Sequence, residues 1–327
     1  MLGQRSLFSL QDAIAVRKLS RRDTRLGRQV KVALDIIDEA LKRYGNSLAL
    51  SFNGGKDCTV LVHLFATAVC STGSSSTPSQ QGSSTSASTQ SSFSNSAAST
   101  STLPNGHGSS SAPPAANGSH ASTSSSASCI QPPIPCIYVQ CQSPFPQVES
   151  FVDVCRAKYN LDLWRISAPM KEALAQYKTE HLNSSGNEVK AVLVGTRIGD
   201  PYSETLQPFQ MTDKGWPEMM RVHPILDWTY DDIWAFLRSE DLGKGGIGWC
   251  SLYNYGYTSL GSTFNTIPNP LLRDPTHENG WKPAWELEDA SAERAGRPAG
   301  PIPADIAKSL DIHTHHYEDA ETSTEDR

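Results

Sequence analysis

The segment Ser51-Phe52-Asn53-Gly54-Gly55-Lys56-Asp57-Cys58 concentrates the residue types that hold a polyphosphate. Gly54 and Gly55 let the backbone approach an anion with no side chain between, so that N–H groups at the start of a helix can face it. Lys56 adds a positive charge, and Asp57 can hold a magnesium ion that bridges phosphates. An ordinary strand-to-helix turn could use the same two glycines. The lysine and the acid in a strand, turn and helix context favour phosphate. Neither GxxxxGK[ST] nor GxGxxG is present, so this is not one of the two commonest nucleotide loops.

The surrounding sequence must place that turn at the edge of a sheet. Residues 30–44 carry Val30, Leu34, Ile37, Leu41 and Tyr44 on one helical stripe, and Gly45 follows as a cap. A short apolar strand over 47–52 leads into the turn, and 58–69 reads as a buried helix. Further strands are expected at 134–141, 161–166 and 189–194, alternating with helices at 146–159 and 171–181. Such alternation predicts an α/β fold, a mostly parallel, Rossmann-like sheet with helices on both faces. Ligands of such sheets bind outside the carboxyl ends of the strands. Two ends stand out, the turn at Asn53 to Asp57 and the run Gly195-Thr196-Arg197. Thr229 and Asp232 are spaced as a capping box for a helix ending near Leu237. From 243 onward Gly, Pro, Asn and aromatic residues predict an irregular region.

Composition sets the domain plan. Residues 71–128 are almost entirely Ser, Thr, Gly, Ala, Pro, Asn and Gln without a single Lys, Arg, Asp or Glu, which predicts a disordered insertion. A single catalytic domain is expected over 31–298, interrupted by that insertion, with a basic N-terminal arm at 1–30 and a loose acidic tail at 299–327. A net charge of −6 argues against a broad nucleic-acid-binding face. No apolar run reaches the length of a membrane span. The seven cysteines include no CxxC pair and are expected as buried free thiols. A cytoplasmic monomer acting on small molecules is expected, with the basic N-terminus readable also as a mitochondrial presequence.

Longer motifs narrow the chemistry. The loop resembles the SGGxDS loop of enzymes that cleave ATP between the α and β phosphates, in the form used by FAD synthases and phosphoadenylyl sulfate reductases. Residues 194–228, VGTRIGDPYSETLQPFQMTDKGWPEMMRVHPILDW, are similar to the FAD synthase pattern G-x-R-x-x-D-P, T-D-x-G-W-P and R-V-x-P-I-L-D-W. Residues 251–270 resemble that family's Y-T-S-L-G and T-x-P-N-P motif, and 282–297 its closing P-A-x-E-L and E-R-A-G-R. Four blocks in order cover nearly all of the chain outside the insertion and tail, and the fungal single-domain type is the nearest pattern.

The resemblance implies an adenine nucleotide alpha hydrolase-like fold with a C-terminal flavin-binding region. The implied reaction moves AMP from ATP to FMN and yields FAD and pyrophosphate with Mg2+. Ser51, Asn53, Gly54, Gly55 and Lys56 would hold the ATP phosphates, and Asp57 and Asp200 the metal, with Arg197 completing the site. Asp213 and Trp216 would lie against the flavin, and Arg294 and Arg297 would hold flavin or phosphate. Ile198 and Gly199 depart from the pattern, where a second basic or polar residue often follows the arginine. Asn53 and Cys58 replace serines of the broader loop, as in FAD synthases.

The residue types suit that reaction. The FMN phosphate is ionised near neutral pH, its second pKa being about 6, so no general base is required. Two polyanions must be brought together, which calls for cations, backbone dipoles and metal. A phosphoadenylyl sulfate reductase is the nearest rival, but it needs a reactive cysteine near the C-terminus, and the last one is Cys250. A non-catalytic flavin or nucleotide sensor is the rival from another class, and the intact Lys56, Asp57, Arg197 and Asp200 speak against it.

Overall fold

In the computed structural model, residues 7–72 and 132–298 are described, side chains at 71–72 excepted. The expectations for the Ser-rich insertion fall outside them from residue 73, and those for the acidic tail fall outside them entirely. The described residues on the two sides of the insertion, 7–72 and 132–298, belong to one compact unit. Both sides of the insertion therefore build the same core.

Chain order is α1 (Leu10–Leu19), α2 (Arg25–Tyr44), β1 (Leu48–Ser51), α3 (Lys56–Thr72), β2 (Ile134–Val139), α4 (Pro146–Lys158), β3 (Leu161–Ile166), α5 (Met170–Ser185), β4 (Ala191–Leu193), β5 (Phe209–Met211), β6 (Met220–Val222) and α6 (Tyr230–Leu237). Beyond α6 the described chain forms only short 3-10 turns. The sheet order is β3-β2-β1-β4-β6-β5. All neighbours are parallel except β5, which runs antiparallel to β6 at the edge. The chain builds outward from β1 to β3, then crosses to the other side of β1 to place β4. The topological switch point therefore lies between β1 and β4, and in open sheets of this kind ligands bind at such a point, outside the carboxyl ends.

Leu10–Leu19 lies within the basic stretch at 1–30, readable as an arm or as a first helix, and it is a packed helix. Ser9 and Asp12 cap it reciprocally, the Asp12 N–H donating to Ser9 Oγ and the Ser9 N–H to Asp12 Oδ2. Its apolar side, Ala13, Val16 and Leu19, is buried with α3, while Ile14 and the basic residues stay at the surface. Burying side chains such as Val16 and Leu19 contributes about 1.5–3 kcal/mol each, and that gain outweighs the freedom of a loose basic segment. α2 likewise starts five residues before the expected stripe, because the Thr24 hydroxyl accepts the Gly27 N–H as an N-cap.

Among the cysteines, Cys58, Cys136, Cys155 and Cys250 are buried and free, as expected. Cys141 is free but exposed, and Cys70, at the end of α3, is disulfide-bonded, so the free-thiol expectation does not hold there. No described helix is long and apolar enough to cross a membrane.

The irregular C-terminal region is fastened to α6 by aromatic edges. Trp234 of α6 meets Tyr253, Trp249 and Trp285 at ring separations of 5.3, 5.7 and 5.5 Å. Such edge-to-face pairs contribute about 0.5–1.5 kcal/mol each beyond their burial. They hold Trp249, Tyr253 and Trp285 against α6, and Tyr253 from there reaches the turn at Lys56.

Candidate functional site

β1 ends at Ser51, which pairs with Ile137, and the turn from Asn53 to Gly55 carries the chain into α3. Gly54 sits at φ +74°, a conformation L side chains rarely adopt, and a Cβ there would press on Val148 and Val152 at 3.2 and 3.1 Å. β4 ends beside β1, with Leu50 opposite Leu193. A Cβ on Gly195 would stand 3.2 Å from Cys58 Sγ, so the absence of a side chain lets β4 come up against the first turn of α3. The two strand ends singled out in the sequence thus meet at the switch point.

Their charged side chains form one buried network. Lys56 is 2% exposed and Arg197 4%. Lys56 Nζ donates to Asp57 Oδ2 at 3.1 Å and is tightly paired with Glu293 Oε1. Arg197 Nη2 donates to both Glu293 oxygens at 2.8 and 2.6 Å. Arg197 Nε faces Asp57 Oδ1 at 2.8 Å, close enough for an ion pair but without hydrogen-bond alignment. The Arg197 backbone N–H donates to Asp200 Oδ2 at 2.8 Å. Two cations are therefore shared among three acids. The ring of Tyr230 lies 5.4 Å from Lys56 Nζ.

The electrostatics follow from burial and neighbours. Burial pushes the Asp57 carboxyl up, but Lys56 and Arg197 together outweigh it and hold Asp57 below the usual carboxylate range. Asp200 is raised, because burial and the nearby Asp57 and Glu293 exceed what the Arg197 N–H and guanidinium return. Burial disfavours the Arg197 charge, yet Asp57 and Glu293 raise its pKa further still. Burial lifts the Cys58 thiol to about 12 and Cys250 to about 11, which leaves both unreactive near neutral pH.

The loop's backbone donors are more committed than the sequence suggested. Gly55 N–H donates to Asn53 Oδ1 at 2.9 Å, and Lys56 N–H to the Tyr253 hydroxyl at 2.9 Å. Neither is spare for a phosphate in this conformation, so the cradle expected from the two glycines is narrower. Asn53 is exposed and braces the turn through its carbonyl oxygen.

The other candidates lie apart from the network. Asp213 and Trp216 are on the β5–β6 connection, which leaves the sheet at the amino ends of the parallel strands, where Met220 pairs with Ala191. Asp213 is 70% exposed at its side chain and 3.4 Å from Arg221, and Trp216 is 39% exposed. The connection folds along α5, where Lys178 Nζ donates to the Glu218 carbonyl. Arg294 is exposed. Arg297 is half-buried, donates to the Leu260 carbonyl at 2.8 Å, and is held below the usual guanidinium value by burial and by Arg294. Among the described residues neither arginine is ion-paired with an acid.

Glu293 and Tyr253 are the site residues the sequence reading did not single out. Glu293 stands inside E-R-A-G-R beside the arginines, and only the arginines were assigned. Its backbone is pinned: the Thr258 hydroxyl donates to the Glu293 carbonyl at 2.6 Å, and Asn269, fully buried, donates to the Ala292 carbonyl at 2.8 Å. Gly296 closes the anchor, since a Cβ there would lie 2.3 Å from the Ile267 carbonyl oxygen. Gly296→Ala should therefore destabilise the protein by about 1–3 kcal/mol, seen as a lower midpoint in thermal or urea unfolding. An unchanged midpoint would show that the segment shifts freely.

A hard cation fits this donor set in a limited way. Asp57 Oδ1 is buried with no aligned hydrogen-bond partner, and Asp200 Oδ1 reaches Arg197 Nη2 only at 3.7 Å. Magnesium commonly takes one or two carboxylates and completes its shell with phosphates and water. Among the described residues there is no group of three or more acidic, His or Cys side chains that would cage a metal alone.

Comparison with known proteins gives the following. Residues 122–268 match the phosphoadenosine phosphosulfate reductase domain, a range that leaves out the loop at 51–58. The chain is 43% identical over 164 residues to a probable FAD synthase of Schizosaccharomyces pombe, covering 50% of this chain and 57% of that protein. It is 29% identical over 289 residues to a probable FAD synthase of Caenorhabditis elegans, covering 87% of this chain and 43% of that one. The chain thus spans about half the length of these curated relatives. The crystal structure of Candida glabrata FMN adenylyltransferase in complex with FAD and inorganic pyrophosphate superposes with a TM-score of 0.63 at 21% identity, covering 90% of this chain and 99% of that chain. The fold is therefore the one seen in that structure.

Proposed function

We infer that the chain belongs to the FAD synthase branch of the phosphoadenosine phosphosulfate reductase-like superfamily, and we propose that it transfers AMP from ATP to FMN. The observation that carries this is the buried network of Lys56, Asp57, Arg197 and Glu293 at the switch point between β1 and β4. It places two fixed cations where a sheet of this type receives a nucleotide. The same fold in Candida glabrata FMN adenylyltransferase is seen in complex with ATP, and with FMN and the ATP analogue AMPCPP.

In the proposed reaction an oxygen of the FMN phosphate attacks the α-phosphorus of ATP. The bond from that phosphorus to the α–β bridging oxygen breaks, and pyrophosphate leaves with the electron pair. The nucleophile is already ionised, so no side chain needs to take a proton. What the site must supply is position and positive charge. Lys56 and Arg197 are assigned to the ATP phosphates, with Ser51, Asn53, Gly54 and Gly55 forming the turn on which they rest. Arg294 and Arg297, a like-charged pair without an acid partner among the described residues, suit the FMN phosphate. Asp213 and Trp216 are assigned to the flavin ring, which requires the β5–β6 connection to meet a ligand that spans to the network. Magnesium, held by Asp57 and Asp200 together with phosphate oxygens, would neutralise charge on the polyphosphate.

The test is to incubate purified protein with FMN, ATP and magnesium, and to follow FAD and pyrophosphate by chromatography with and without chelator. Equal amounts of both products, lost on chelation, are expected. Binding of both substrates without FAD would turn the reading to a sensor. A reductase reading is disfavoured by Cys250, whose burial keeps it a thiol.

A further inference from the structure

We propose that Glu293 is a positioning residue whose single carboxylate holds Lys56 and Arg197 side by side, so that their remaining N–H groups face the triphosphate. The proposal rests on the adenylyl-transfer reading above and assigns a residue that the motif comparison left without a role.

The donor count supports it. Lys56 Nζ has three N–H groups, of which two go to Asp57 and Glu293. Arg197 Nη2 spends its donors on Glu293, and Nε faces Asp57. Among the described residues Arg197 Nη1 has no hydrogen-bond partner, and one Lys56 donor is likewise uncommitted. Glu293 thus engages part of each cation and leaves part free. Glu293 on Nη2 and Asp57 opposite Nε engage two different nitrogens of the guanidinium, and together they constrain its plane as well as its distance.

A purely structural role for Glu293 is less well supported. Its segment is already anchored without the carboxylate, through Thr258, Asn269, Gly296 and the Arg297 contact with Leu260. The network also holds one more acid than it has cations, which is a poor arrangement for stability alone but is suited to a site that receives metal-bound phosphate. The carboxylate comes from 237 residues away in sequence to reach Lys56 and 96 to reach Arg197, so it ties the irregular C-terminal region to the phosphate turn.

The experiment compares wild type, Glu293→Gln and Glu293→Asp by FAD formation at saturating substrate, by binding of a non-hydrolysable ATP analogue, and by thermal unfolding. Gln removes the charge at the same reach. Asp keeps the charge one methylene short. A misplacement of about 1 Å can cost about 100-fold in rate, so kcat should fall by about 100-fold in Glu293→Gln and by at least about 10-fold in Glu293→Asp. Analogue affinity should change by less than about 3-fold, because removing one negative charge also eases binding of a polyanion. Full activity in either variant overturns the proposal, as does a parallel loss of affinity and melting temperature with kcat unchanged. Should Glu293→Gln not fold, Glu293→Asp alone decides between these outcomes. A wild-type protein that forms no FAD would overturn the reaction itself. Wild-type FAD formation with unimpaired variants would overturn only the role of Glu293.

Discussion

Asp57→Asn lowers FAD formation by at least about 10³-fold, the equivalent of about 4 kcal/mol at about 1.4 kcal/mol per tenfold, while the protein keeps its fold. Asp57, like Glu293, touches both cations, Lys56 at 3.1 Å and Arg197 at 2.8 Å, and its Oδ1 is a buried oxygen without an aligned partner. Under the proposed function it is also the stronger of the two magnesium ligands, since Lys56 and Arg197 keep it ionised where burial raises Asp200. Removing a charge clamp from a phosphate-transfer site typically costs several kcal/mol of transition-state stabilisation. The fold survives because Glu293 still pairs with both cations. Thermal unfolding should drop by roughly 2–4 °C at neutral pH. The sign of its pH dependence follows from the depressed folded-state pKa. The stabilisation by Asp57 is complete above the ordinary value of 3.8 and is lost as pH falls through the folded value. The gap between wild type and variant should be flat near neutrality and close on acidification. Wild-type turnover with a normal magnesium demand would remove Asp57 from the site.

Much of this architecture is legible in the chain. The strand at 161–166 reads with its observed bounds, since Tyr159-Asn160 ends one helix and the next begins after Pro169. The Thr229 capping box forms as its spacing predicts, with the Asp232 carboxylate receiving the Thr229 N–H. β5 and β6 do not read as strands, because three residues are too few to show a period of two. Their existence depends on pairing with β4, which the local sequence does not encode. The site divides the same way. The glycines and charges of the turn are adjacent in sequence and are visible as a group. Their partners are not: Tyr253 takes the Lys56 N–H from 197 residues away, and none of the three tyrosines at 253–257 is marked by spacing as the one that does. Glu293 escapes for a related reason. Lys56 and Arg197 already match Asp57 and Asp200 in charge, so nothing in the count of those four calls for a third acid.

Arg197→Met should cost both activity and stability, and its deficit should shrink on acidification as that of Asp57→Asn does, but at higher pH. Methionine fills a similar volume without charge. It would leave Asp57, Asp200 and Glu293 in a buried site with Lys56 as their only cation. Removing one partner of a buried pair costs about 3–5 kcal/mol, because the remaining charge is neither solvated nor matched. For a domain of this size that lowers the melting temperature by on the order of 10 °C. The orphaned carboxylates can relieve the strain by taking a proton, so their folded-state pKa values rise above the unfolded ones. The folded variant then binds more protons than its unfolded chain as pH falls, and the deficit against wild type should narrow between about pH 8 and pH 5. Arg197→Lys separates the two roles of this side chain. A lysine restores one charge and therefore most of the stability, but its single nitrogen cannot do what two guanidinium nitrogens do, Nη2 meeting Glu293 at 2.8 and 2.6 Å while Nε faces Asp57 at 2.8 Å. FAD formation should remain depressed by about 100-fold in that variant, the scale of a lost oriented donor. A melting deficit in Arg197→Met that does not change with pH would mean that the three acids are not held as charges by Arg197, and the network would have to be assigned to packing.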